Sequence, residues 1–144
     1  MSGIKICIDT NIFLNVLNRE SGFFHASKEV LEAVDGKTLK AVIPTLVVAE
    51  ILTGFYLDNK NERVEDFLSS ILSNKNIEVV QLSVDIAVSS ASIRAKTGMR
   101  LPDSIVLSTA LHEKVDYLVS NDDSFPKEYE KIHTIKSTVM ANLL

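Results

Sequence analysis

The chain has 144 residues, 46% hydrophobic and 24% charged, with a formal net charge of −4. That is the composition of one ordinary globular domain, spanning 1–144, which needs no disulfide staples, and the charge excludes a protein that holds nucleic acid mainly by bulk positive charge. No apolar run approaches the roughly 20 residues that cross a bilayer, and the amino terminus lacks the basic and apolar regions of a signal peptide. The single cysteine, Cys7, lies within an apolar run and reads as a buried hydrophobe. Together these features predict a cytoplasmic protein without a membrane segment.

Ile4–Ile8 (IKICI) reads as an apolar strand broken only by Lys5. It stops abruptly at Asp9-Thr10-Asn11, and helical spacing follows over Asn11–Leu17. Phe24–Val34 reads as a second helix stopped by Gly36. Ala41–Ile43 is a short strand closed by Pro44. Thr45 then reads as the N-cap of Leu46–Leu57, a helix apolar nearly all round and so expected to be largely buried. Glu62–Leu72 is amphipathic, with Val64, Phe67, Leu68, Ile71 and Leu72 on one face. Ile77–Leu82 is the next strand. Ser83 caps Ile86–Thr97, a helix that ends at Gly98. Leu101-Pro102-Asp103 opens a helix running to about Lys114. Tyr117–Val119 is a strand ending in Ser120-Asn121-Asp122-Asp123. A short strand at His133–Ile135 and a helix from Ser137 complete the chain. Strands alternating with helices predict a three-layer α/β/α fold with a mostly parallel central sheet.

Four carboxylates occupy positions unlike solvated surface. Asp9 ends the first strand, Glu50 lies within LVVAEIL, Asp103 follows Leu-Pro at a helix start, and Asp122 follows YLVSN. Each has a plain structural role open to it: Asp9 and Asp103 can cap helices, Asp122 can form a turn, and Glu50 can reach water along one helix edge. Taken together they fall at one edge of a parallel sheet, where α/β sheets place ligand sites. Four converging carboxylates repel one another unless a counter-ion is present, and an all-oxygen set suits Mg²⁺ or Mn²⁺. His25, His112 and His133 read as surface or partly buried residues outside this set. Their placement and the lack of a glycine-rich phosphate loop disfavour zinc, Ser/His, Cys/His and nucleotide-hydrolysing chemistry.

IDTNIFLNVL, PTLVVAEIL, LPDSIVLSTAL and YLVSNDDSF, in this order over nearly the whole chain, resemble the motifs of PIN-domain proteins, and within them the small VapC-type toxins. The resemblance implies a Mg²⁺- or Mn²⁺-dependent endoribonuclease that cleaves RNA with a metal-activated water. It carries the metal-binding and catalytic roles onto Asp9, Glu50, Asp103 and Asp122, and supporting or substrate-orienting roles onto Thr10, Asn11 and Ser120. Phe125 matches the aromatic that follows the last acid. Of the Asp122-Asp123 doublet, Asp122 has the better spacing to Ser120 and Phe125. Arg94, Lys96 and Arg100 precede Asp103, and Arg19 ends the first helix; gripping RNA phosphates and sitting as cations at a helix C-terminus both fit them. A VapB-type antitoxin and a homodimer are the implied partners. Other readings are an RNA-processing nuclease that is no toxin, a non-catalytic PIN-like interaction module, and a haloacid-dehalogenase-like phosphatase. The last lacks its usual second aspartate, because Asn11 stands there.

Overall fold

The computed structural model describes residues 3–144. Strand β1 (Lys5–Ile8) leads into helix α1 (Thr10–Leu17), and α2 (Phe24–Asp35) brings the chain to β2 (Lys40–Pro44). Helices α3 (Thr45–Leu57) and α4 (Glu62–Ser73) precede β3 (Ile77–Val80). Helices α5 (Val84–Thr97) and α6 (Leu101–His112) precede β4 (Tyr117–Val119). The chain ends with β5 (Glu128–Tyr129), β6 (Ile132–Ile135) and α7 (Ser137–Asn142).

The six strands form one sheet in the order β3-β2-β1-β4-β6-β5. All neighbours are parallel except the β5–β6 pair. Ile6, Cys7 and Ile8 are buried in the central strand, as a strand covered on both faces requires. Burial pushes the Cys7 thiol well above its ordinary value, with Asp9 and Glu113 adding to the rise. From β1 the order runs outward through β2 to one edge and through β4 to the other. The β1–β4 boundary is therefore the switch point at which open α/β sheets carry their sites.

Several local expectations are corrected. Thr45 is the first helical residue rather than the N-cap; the cap is Pro44 in extended conformation, with no side-chain cap bond. Helix α3 is not largely buried: only Val47, Ile51 and Phe55 are, on the one face packed against α1, β2 and α6, and Leu57 is 77% exposed. Leu72 also points outward. Strand β3 stops at Val80 because its partner there is Pro44, after which β2 turns into α3 and offers no further ladder. The two-residue β5 is too short to show a period. Ser83 does cap α5, accepting from Ile86 N–H at 3.2 Å, and Gly98 closes that helix in the left-handed region with φ 75°.

Candidate active site

Asp9 follows β1 and Ser120 follows β4, with Ile8 opposite Val119 in the register. The Asp9 N–H donates to the Val119 carbonyl at 3.1 Å, so the ladder itself fixes the backbone of this acid. Its side chain is held at both oxygens. Oδ1 accepts from the Thr10 N–H at 2.8 Å, which makes Asp9 the N-cap of α1. Oδ2 accepts from Ser120 Oγ at 2.7 Å and from Asn11 Nδ2 at 2.8 Å. Asn11 Nδ2 also donates to Ser120 Oγ at 3.0 Å, and its Oδ1 accepts from the Asn121 N–H at 2.9 Å. The polar triplet after β1 therefore caps a helix and clamps a carboxylate at once.

Asp9 is 5% exposed. Burial raises its pKa to about 6; the bonds from Ser120 and Thr10 pull the other way, and the charges of Asp103 and Glu50 push it up further. Glu50 is exposed rather than buried among its apolar neighbours. The Thr10 hydroxyl draws it to the site, donating to Glu50 Oε1 at 2.7 Å.

Asp103 is buried at the third position of α6, whose cap is Arg100, so capping is not its role. The Arg100 guanidinium lies along its carboxylate, Nε to Oδ2 at 3.2 Å and Nη2 to Oδ1 at 3.4 Å. Ser124 Oγ donates to the same Oδ2 at 3.1 Å. The hydrogen bond and charge of Asp103 hold the Arg100 pKa above its ordinary value, helped by Asp122 and Glu50. Arg100 thus stands in the field of three of the four predicted acids.

The Asp122-Asp123 doublet divides cleanly. Asp122 donates its N–H to Ser120 Oγ at 3.1 Å and accepts from the Ser124 N–H at 2.9 Å, which turns it back toward the site. Asp123 faces Lys136 at 2.8 Å, a pairing that lowers its pKa. Arg94 lies apart from the acids, with Nη1 donating to the Met99 carbonyl at 2.6 Å, which is the helix-terminus role. Arg19 stacks over Phe24 at 5.8 Å.

Two residues escaped the sequence reading. Ser124, in the quoted stretch YLVSNDDSF, was a visible hydroxyl two residues after Asp122. Asn121 left no signal beyond turn chemistry, yet every hydrogen-bonding position of its amide is used. Nδ2 donates to Asn15 Oδ1 at 2.8 Å and Ser27 Oγ at 3.3 Å, while Oδ1 accepts from Ser137 N–H at 2.9 Å and Ser137 Oγ at 3.0 Å. It ties the loop carrying Ser120 and Asp122 to α1, α2 and α7.

The chain matches the family described as PIN domain over residues 6–131. The chain belongs to the PIN-domain family. Among solved structures, VapBC2 from Rickettsia felis, bound to a promoter DNA fragment, is 20% identical with a TM-score of 0.71, covering 92% of this chain and 98% of its own. A toxin–antitoxin complex from Klebsiella pneumoniae is 23% identical with a TM-score of 0.68, covering 88% and 94%. VapC20 from Mycobacterium tuberculosis, described as a sarcin–ricin loop cleaving toxin, is 12% identical with a TM-score of 0.69, covering 89% and 98%. These similarities show that the PIN fold is shared. No curated protein is similar enough to the chain to count as a match. Among the described residues no helix is long and apolar enough to cross a membrane.

The side chains fit a hard divalent cation by their chemistry. The donors are oxygens only, and a buried carboxylate with a raised pKa beside two further acids is an uncompensated charge that a cation relieves. Among the described residues no three of these groups stand ready as a closed metal cluster.

Proposed function

We propose that the chain is a Mg²⁺- or Mn²⁺-dependent endoribonuclease, and the toxin of a pair with a VapB-type antitoxin, acting in the cytoplasm. The observation that carries this reading is the buried Asp9 carboxylate, clamped at both oxygens with Glu50 and Asp103 beside it. In this reading Asp9, Glu50 and Asp103 hold the ion, with Asp122 at the rim. Bound there, the ion would supply a Lewis acid for a water nucleophile and for charge on the phosphoryl oxygens.

The chain's own residues supply the preorganisation. Ser120, Asn11 and Thr10 spend their hydrogen bonds on the acids before substrate arrives, so little reorganisation is left for the reaction. Arg100 neutralises Asp103 in the metal-free protein, and its side chain, 72% exposed, is free to turn toward an RNA phosphate once displaced. Large apolar side chains exposed on neighbouring stretches of chain, Tyr56 and Leu57 on α3, Leu72 on α4, and Val84 and Val88 on α5, are available for protein partners. We assign them to a homodimer and to the antitoxin. The similar solved toxin–antitoxin complexes support the antitoxin half of this assignment.

The test is to incubate structured and single-stranded RNAs with Mg²⁺, Mn²⁺ or EDTA, beside Asp9→Asn and Asp103→Asn. Metal-dependent cleavage lost in both variants is the expected result. Cleavage that survives EDTA or either substitution refutes the proposal.

A further inference from the structure

Beside the acidic site, at the carboxyl ends of β4 and β6, lies an open cleft of about 460 Å³. That volume is within the roughly 300–1,000 Å³ range of small-molecule sites. The cleft shares Ser120 and Asp122 with the acidic site, so whatever fills it abuts the groups assigned to the reaction. Its wall includes Ile135 and the exposed Val139, while Lys127, His133 and Lys136 contribute nitrogen donors. Lys136 is paired with Asp123; Lys127 and His133 make no ion pair among the described residues. Thr134, in the same wall, carries the one buried side-chain polar atom among the described residues that lacks a hydrogen-bond partner.

We infer that this cleft is a subsite for one unpaired ribonucleotide next to the scissile bond, its phosphate toward Lys127 and His133 and its base against Ile135 and Val139. The inference rests on the nuclease reading and adds to it where the strand runs after leaving the acids. The charges order the two sites: the carboxylates would repel a phosphate lacking a cation, whereas the Lys127–His133 side attracts one directly. A chain with a net charge of −4 cannot hold RNA by bulk charge, so local placement of its few cations has to do so. The apolar wall takes any base, because every base has a face to bury.

The experiment is a methyl NMR titration of the full chain in EDTA with each of the four ribonucleoside 5′-monophosphates, with inorganic phosphate alone as the control. The expected result is movement of the Ile135 and Val139 signals by nucleotides and not by phosphate. Replacing both Lys127→Ala and His133→Ala should weaken nucleotide binding by about fivefold or more and flatten its salt dependence. Both side chains are exposed, so the double variant should retain the wild-type Tm. In cleavage assays the same variant should raise KM with kcat kept within about twofold, as loss of uniform binding does. Shifts identical for phosphate and nucleotides, or unchanged affinity in the double variant, would overturn the subsite. Normal metal-dependent cleavage with a silent titration sinks this inference alone. Absent cleavage sinks the nuclease reading, while the titration still reports on the cleft.

Discussion

Replacing Asp9 by Asn should stabilise the metal-free protein at alkaline pH while removing its response to divalent cations. Asp9 is 5% exposed, and its carboxyl is raised from 3.8 to about 6, chiefly by burial. The unfolded chain releases this proton near the ordinary value of 3.8. Between pH 3.8 and about 6 the folded state therefore keeps a proton that the unfolded state has lost. The stability contributed by this group is fully present below pH 3.8 and is lost as the pH rises through about 6. A shift of about two units, at ~1.4 kcal/mol each, makes the ionised carboxylate destabilising by about 3 kcal/mol at pH 8.

Asn keeps the acceptor for the Thr10 N–H, but its amide nitrogen replaces the oxygen that Ser120 and Asn11 donate to. That mismatch costs about 1–2 kcal/mol at any pH. The variant should thus gain about 1–2 kcal/mol over wild type at pH 8, near 3–6 °C in Tm. At pH 4, where wild-type Asp9 is largely protonated in the fold, the variant should lose a similar amount. The swing of about 3 kcal/mol between the two pH values is the diagnostic quantity, read by urea denaturation in EDTA across pH 4–8. Adding Mg²⁺ or Mn²⁺ at pH 8 should raise the Tm of wild type and not of the variant. A stability difference that is flat across this range, or a variant stabilised by the cations as much as wild type, would refute the reasoning.

Three other substitutions probe the remaining groups. Arg100→Ala removes a competing cation from Asp103, so calorimetry should find divalent-ion affinity tightened about two- to fivefold, the worth of a half-exposed pair. Asp122→Asn should slow RNA cleavage at least about tenfold, whereas Asp123→Asn, which loses only the solvent-facing Lys136, should stay within about twofold of wild type. Asn121→Ala leaves Asn15, Ser27 and Ser137 without their shared partner. It should cost about 2–4 kcal/mol and lower the Tm by about 6–12 °C in a thermal melt.

The order of strands and helices was legible in the chain because each element carries its own signal. IKICI and YLV are apolar runs too short for helices and too continuous for half-exposed strands, and Gly98 and Ser83 mark helix ends by local chemistry. The four acids stood out as candidates for a related reason. A carboxylate at the junction of an apolar strand and a helix stands out from solvated surface, whatever lies across the sheet from it. The same local view misjudged α3, since an apolar surface looks alike whether a neighbour covers it or solvent does. For Glu50 it left burial among apolar neighbours and access to water along one helix edge both open; the fold leaves it exposed, held by the Thr10 hydroxyl.

What only the tertiary structure decided depends on partners far along the chain. Ser120 reaches Asp9 across 111 positions, and Asn121 joins Asn15 across 106. Spacing to Ser120 and Phe125 already favoured Asp122 over Asp123, but the contacts that hold the two apart, from Ser120, Ser124 and Lys136, appear only in the folded chain. Arg100 and Asp103 are near in sequence, yet their pairing matters because Glu50 and Asp122 arrive from other elements to share the same field. Periodicity and turn chemistry act over a few residues, whereas charge and hydrogen bonding act over a few ångströms. Only the closing of β1 against β4 brings these distant residues within that reach.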